Sequence, residues 1–427
     1  MVNKIFLLAL TLLCLGWSTM VAAAELVRVA LVSGQYSAEL IGQDDFVVVE
    51  NSTGRTTTLT KGKYFLRGEE GSLIIGDQRF QGSLGIQALP DKRLPQVNKR
   101  AYAGSYQLSL FQEQLLLVNL VELEDYLASV LPSKTMPVWP EATVKAQIVA
   151  ARSYVKYQLA THGSAAYDLS ANDEELRYTG LAAVRPRLHQ LLAATAGAYL
   201  VDEQGFPVEA LTTSSSGGRT ESALELWGRE VPYLQSLEDY DQDSPDYQWE
   251  ERFLPAQVQN LLEQQGHRLG KLTSIRLSTL AEPSLDRTPS GRVRQLILTG
   301  TEGSVRCSGT QLQQLLGLPS NLFEVETGVP RPASLRVPIE NYYGMEIGSK
   351  DIDINLEEGS TPVWKQVAQS VHLLSGAKEE KLTFKGRGRG HGLGLSAWGA
   401  RGLANAQPDL SYQEILQYYY PRTVLRK

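Results

Sequence analysis

The sequence predicts an α+β protein in which a small all-β domain precedes a mixed core. Three observations predict it. Residues 26 to 90 break into short β-rich runs, a stretch near residue 140 carries the spacing of one long helix, and strand-like and helix-like segments alternate from there to the end. At 427 residues the chain has room for more than one domain and for a large core.

The first 24 residues read as a secretory signal peptide. Lys4 supplies a positive start, Ile5 to Trp17 an apolar run, and Ala22-Ala23-Ala24 a small-residue cleavage site before Glu25. The apolar run is short for a membrane span. The expectation is a protein secreted or held in the cell envelope, extracytoplasmic, meeting a membrane only if the signal stays uncleaved. Cys14 leaves with that segment, so Cys307 is single and no internal disulfide is expected. A formal net charge of -6 gives no bulk attraction to nucleic acid, and no nucleic-acid partner is expected.

The runs LVRVALVS, DFVVVE, TTTLT, YFLR and SLIIG, separated by Gly, Asn and Asp turns, read as strands of a β-domain over 25–95. A core follows over 96–330. Within it YQLSLFQEQLLLVNLV reads as a hairpin and LEDYLASVL as a short helix. Pro132 to Trp139, with two prolines and no regular period, reads as a pinned loop leading into the long helix. Pro140 suits the first helical position, and Glu141 the end where the dipole favours an anion. Val144, Ile148, Val155 and Leu159 then mark the apolar stripe of an amphipathic helix that stops at Gly163.

Later segments are plainer. RPRLHQLLAATAG reads as a helix, and AYLVDEQGFPVEAL as two strands joined at Glu203-Gln204-Gly205. Pro255 to Gly266 and TQLQQLLGL read as helices, LTSIRLSTL and VRQLILTG as strands. Residues 331–383 read as an insertion holding an acidic stretch and a helix PVWKQVAQSVHLL. Residues 384–427 supply a Gly-rich strand and a closing helix, whose start is marked by the capping pair Ser411 and Glu414.

Two further stretches could carry chemistry. GRGRGHGLGL, 386–395, has Gly at every even position. As extended chain it would present one bare backbone face, with Arg387, Arg389 and His391 together on the other. TSSSGGRT, 213–220, is rich in hydroxyls but lacks the spacing of a nucleophile elbow, which leaves hydrogen bonding to sugar hydroxyls or turn chemistry. The five histidines show no metal spacing and there is no cysteine cluster, so neither metal nor cofactor is expected.

Taken in this order, VNLVELEDYLASVLPS, WPEATVKAQIVAARSYV, TSSSGGRTESALELWGREVPYL, SGRVRQLILTG, GRGHGLGLSAWGARGLA and SYQEILQYYYP resemble the SpoIID/LytB family of exported bacterial cell-wall proteins. The resemblance spans Lys99 to Glu326 and Phe384 to Leu425 and implies a SpoIID-like core. It includes lytic transglycosylases that cleave peptidoglycan glycan strands during spore engulfment, and enhancers of cell-wall amidases. It therefore implies peptidoglycan glycan as a partner and, in the enhancer branch, an amidase. A transglycosylase of this kind needs one acid that protonates the glycosidic oxygen and then deprotonates the muramic C6 hydroxyl.

Here the chain departs from the family. The family acid, a Glu in a PSEMP-like stretch, corresponds to Lys134, or to Thr135 after a one-residue slip. A Lys near its reference pKa of about 10.4 is a poor proton donor to an ether oxygen at neutral pH. Glu141 is the nearest carboxylate, but a helix N-terminus stabilises its anion. Glu122, Glu124, Asp125 and Glu221 are the other candidates. Two readings stay open: a lytic transglycosylase with a relocated acid, or a non-catalytic glycan binder in which Lys134 holds a wall carboxylate. Either expects a groove lined by Lys134, Gln147, Arg152, Ser215, Ser216, Arg219 and His391. Some relatives carry a zinc-type His and two Cys after the long helix. Ser170 and Glu175 stand at those cysteine positions here, so the resemblance implies no metal.

Overall fold

A computed structural model describes residues 25–131, 138–163, 165–181, 186–280, 284–327, 371–374, 376–377 and 380–427, together with the backbone of strands Ser334–Glu340 and Glu346–Asp353. The expected signal segment lies outside the described residues, as do Lys134 and Thr135.

The first surprise is the extent of the N-terminal sheet. Leu26–Gln35 does not close a domain of its own but pairs antiparallel with Gln114–Glu122, Val27 facing Val121. A seven-stranded sheet runs from Thr56–Leu59 through Phe46–Glu50, Leu84–Ala88, Ser105–Phe111 and Gln114–Glu122 to Leu26–Gln35, with Leu169–Ser170 parallel at its edge. The expected boundary near residue 95 therefore falls inside one sheet. The buried face follows suit: Val27, Phe46, Leu66, Ile86, Leu108 and Leu117 share one apolar cluster with residues of the long helix. Strand alternation is local and reads well from sequence, whereas strand partners are chosen by which apolar faces meet. The hairpin expected over 105–122 does form, Phe111 facing Gln114.

Helix α1 spans Leu123–Val130 and helix α2 spans Glu141–His162. Pro140 stands just outside α2 as its N-cap, one residue earlier than expected, with φ -50° and ψ 140°. α2 is not amphipathic in place. Every residue from Ala146 to Val155 is buried, so the helix runs through the interior instead of lying on it. α1, Pro186–Ala194, Ala397–Ala406, Tyr412–Tyr419 and the strand Tyr199–Val201 surround it. The small side chains of Ala146, Ala150 and Ala151 let these neighbours approach. Tyr199–Val201 takes Val424–Arg426 as its antiparallel partner. Only a single bridge, Val201 to Pro207, remains of the expected local pair. Pro207 has no N–H to extend that ladder.

A second apolar cluster lies in residues 249–327 and 371–386, with Val258, Leu262, Ile275, Leu298, Leu312, Phe323 and Phe384 at its centre. Leu382–Gly386 is the middle strand of one small sheet, between Trp249–Phe253 and Phe323–Thr327. Val371–Leu373 joins a four-stranded sheet beside Leu272–Arg276. The end of the expected helix PVWKQVAQSVHLL is thus strand, and the expected insertion hands the chain back before residue 383. From Arg387 onward the chain returns to the first cluster and finishes there. The capping box at Ser411 and Glu414 starts the last helix as expected.

The Gly-rich segment is not a simple extended strand. Gly388, Gly390, Gly392 and Gly394 all have positive φ, at 73°, 104°, 82° and 67°. Each turns the chain, so Arg387, Arg389 and His391 do not share a face. The bare backbone is used by the neighbouring segment 211–217: a Cβ on Gly394 would stand 2.0 Å from the Leu211 carbonyl oxygen.

Candidate functional site

The N-terminal half of α2, the end of α1 and two short segments far apart in sequence enclose a cleft. Thr212–Thr213 pairs parallel with Leu395–Ser396, and the helix Ala397–Ala406 starts directly after. The cavity between them measures about 460 Å³. It is lined by Leu131, Trp139, Gln147, Ala151, Leu176, Thr212, Thr213, Ser214, Pro245, Arg389, Leu395, Ala397 and Trp398. Lys134, expected in this groove, lies outside the described residues.

Two tryptophans form one end. Trp139 and Trp398 meet edge to face, centroids 5.2 Å apart at 65°. The Arg401 guanidinium covers Trp398 at 4.9 Å from its ring. Thr143 Oγ1 donates to the Ala400 carbonyl at 3.1 Å, tying α2 to the C-terminal helix behind this pair. At the rim Arg389 makes a bidentate ion pair with Asp246, 2.8 and 2.9 Å, and that bond raises the guanidinium pKa further. Gln147 is the odd member. Its side chain is 4% exposed, yet neither Oε1 nor Nε2 has a hydrogen-bond partner among the described residues. Among those residues, no carboxylate lines the cavity.

The structure separates most of the residues expected to share a groove. Gln147 is in the cleft wall. Arg152, five residues on, turns about a third of the way round α2 and is wholly buried. It donates to Glu124 through Nε and Nη2, at 2.8 and 2.9 Å, and to the Ala198 carbonyl through Nη1. A buried guanidinium needs such partners, which places Arg152 in the frame and not in the groove. Ser215 and Ser216 are buried and point away, donating to Asp241 and Asp239. Arg219 is exposed and bonds Ser236 Oγ. Glu141 is exposed at the start of α2 and paired with Lys145, a bond that lowers its pKa. That is the wrong direction for a proton donor. Glu221 is buried elsewhere, taking hydrogen bonds from Thr288 Oγ1, Ser290 Oγ and the Ser222 N–H.

His391 faces a neighbouring cavity, also about 460 Å³, with Tyr154, Asp173, Glu174 and Glu175. The Leu393 N–H donates to its Nδ1 at 2.9 Å, so the ring proton sits on Nε2 and is given to Glu175 at 2.7 Å. The other Glu175 oxygen takes the Thr212 N–H and hydroxyl. Glu175 thus pins the Gly-rich segment to the cleft wall.

Behind the cleft, the Ser/Gly loop is closed by two buried carboxylates. Asp241 accepts from Ser215 Oγ and from the Gly217 and Gly218 N–H groups. Asp239 accepts from Ser216 Oγ and Tyr419 OH. Burial, and then the charge of Asp241, push Asp239 above the ordinary carboxylate range. Arg292 lies fully buried near them. It donates to Asn321 Oδ1 at 2.8 Å and to the Ser216 carbonyl at 2.9 Å, and burial brings its pKa down to about 10.

Trp398, Leu395 and Thr212 to Ser214 were not expected at the site. All but Thr212 fall within stretches that carry the family resemblance, but nothing local says that residues nearly two hundred positions apart pair there.

The profile of the SpoIID family, described as Stage II sporulation protein, matches residues 111–201, from the second strand of the hairpin through α1 and α2 to the strand Tyr199–Val201. Across a longer span the chain is 26% identical over 308 residues to the amidase enhancer of Bacillus subtilis, and 22% identical over 321 residues to stage II sporulation protein D of the same organism. Both comparisons point to similarity with the SpoIID/LytB family. An uncharacterized protein of Brachyspira hyodysenteriae is 24% identical over 325 residues, covering 76% of this chain and 72% of that one. The alignments cover 70% and 72% of this chain for the amidase enhancer and the sporulation protein, but 40% and 75% of those proteins. The family and these relatives support a cell-wall related role. No described helix is long and apolar enough to cross a membrane.

Proposed function

We propose that this chain acts outside the cytoplasm, where its cleft holds a peptidoglycan glycan strand and presents it to a cell-wall amidase. The observation that carries the reading is the lining of the cleft. Two tryptophan rings and an unpaired amide suit a sugar with an apolar face and polar edges, and no described lining residue is a carboxylate that could carry the proton for cleavage. Glu175 and Asp246 each bond a lining residue, but Glu175 is engaged by Thr212 and His391, and Asp246 by Arg389. The amidase follows from the relative named an amidase enhancer.

The test uses the purified chain with peptide-free glycan strands. Strands should be retained in a pull-down, and mass spectrometry should find no anhydro-muramic ends. Lys134→Glu restores an acid at the family position, and anhydro products from that variant alone would show that the cleft lacks only its proton donor. Anhydro products from the native chain would overturn the non-catalytic reading, and failure to retain strands would overturn glycan binding.

A further inference from the structure

The unexplained group in the cleft is the Gln147 amide. Both its polar atoms are sealed from bulk water and neither is bonded among the described residues. Leaving such a group unpaired is costly, so a ligand that engages it recovers a loss the free protein already carries. Leu131, Ala151 and Leu395 share the same lining and offer apolar surface. The Arg389 guanidinium stands at the rim, and the described lining has no carboxylate.

Resting on the glycan reading above, we infer that Gln147 reads the N-acetyl group of an amino sugar. The match is chemical. An acetamido group brings a carbonyl for Nε2–H and a methyl for the Leu131, Ala151 and Leu395 surface. Its amide is trans, so the N–H points away from the carbonyl, and one glutamine takes the carbonyl while Oε1 accepts from a sugar hydroxyl. A bare hydroxyl in that place would satisfy the amide but leave the apolar surface unfilled. A free amine, carried as an ammonium after de-N-acetylation, would meet no carboxylate in the described lining, and it could not accept from Nε2–H or fill the apolar surface. The cleft is therefore selective for acetylated over de-N-acetylated glycan.

The test compares peptide-free glycan strands before and after chemical de-N-acetylation, binding to the full chain, to Gln147→Leu and to Gln147→Glu. Thermal unfolding of each variant checks that it is folded. The native chain should bind acetylated strands at least about tenfold more tightly than de-N-acetylated ones. Gln147→Leu should lose that preference, and Gln147→Glu should reverse it, since a carboxylate accepts an ammonium and cannot donate to a carbonyl. A reversal is an outcome that general damage to the cleft would not produce. Equal binding of both strands by the native chain would overturn the inference while leaving glycan binding standing, as would a preference that survives in Gln147→Leu. Binding of neither strand would overturn the glycan reading itself.

Discussion

The cleft and the Ser/Gly loop behind it use the same kinds of polar group and treat them in opposite ways. In the loop, Ser215, Ser216 and the Gly217 and Gly218 N–H groups are all bound to Asp239 or Asp241, and Arg292 lies close behind. In the cleft, Gln147 is equally buried and bound to nothing described. A polar group whose partners are all internal fixes a backbone. One left without them is poised for something from outside. The hydroxyl-rich loop spends its polar groups on internal bonds, whereas a single amide on a buried helix keeps its own unspent.

That contrast can be broken most forcefully at Arg292. Arg292→Leu should cost about 3–5 kcal/mol, because it strips a fully buried cation from beside Glu221 and Asp241 and leaves their charges uncompensated. Urea unfolding is the check, and a loss below about 1 kcal/mol would mean that the loop does not depend on its internal partners. A smaller effect is expected at Asp239, and it should depend on pH. Its folded pKa is raised, so its stabilising contribution is complete below the unfolded value near 3.9 and is lost as pH rises through the raised one. Asp239→Asn titrates in neither state. The stability of the native chain relative to this variant should fall as pH climbs from about 3.5 to 7. Paired unfolding curves would detect it, and a difference that ignores pH would contradict the assignment. The smallest effect belongs to the cleft. Gln147→Leu should leave stability within about 1 kcal/mol of native, or raise it, because it removes an amide that bonds to nothing described. A clear destabilisation would show that the amide is already satisfied in the free protein.

Local signals carried further for elements than for partners. The hairpin over 105–122, α2 and the capping box at Ser411 are set by alternation, apolar spacing and a hydroxyl three residues before a Glu, all readable in short windows. Arg152 misled because helical spacing says which residues lie off a stripe, not that Glu124 and the Ala198 carbonyl will meet them. Arg387, Arg389 and His391 misled through period two, which holds only while φ stays negative, and the glycines between them reverse it. The sheet that joins Leu26–Gln35 to Gln114–Glu122 was out of reach for the same reason, since pairing across that distance leaves no mark in either strand alone. Gln147 was legible as a cleft residue from the family resemblance. That it would be the unpaired one was not.

The return of the chain from the second cluster has a consequence in time. One wall of the cleft is made of residues 139–176 and 212–214, the other of Arg389, Leu395, Ala397 and Trp398, and the whole second cluster is threaded between them. A chain emerging from the ribosome in order can complete the second cluster up to Phe384 and still have no cleft. The site exists only once the last helices have been made and have docked on α2 through contacts such as Thr143 with Ala400. A copy cut short anywhere before residue 389 would keep much of its buried surface and have only half a wall to offer.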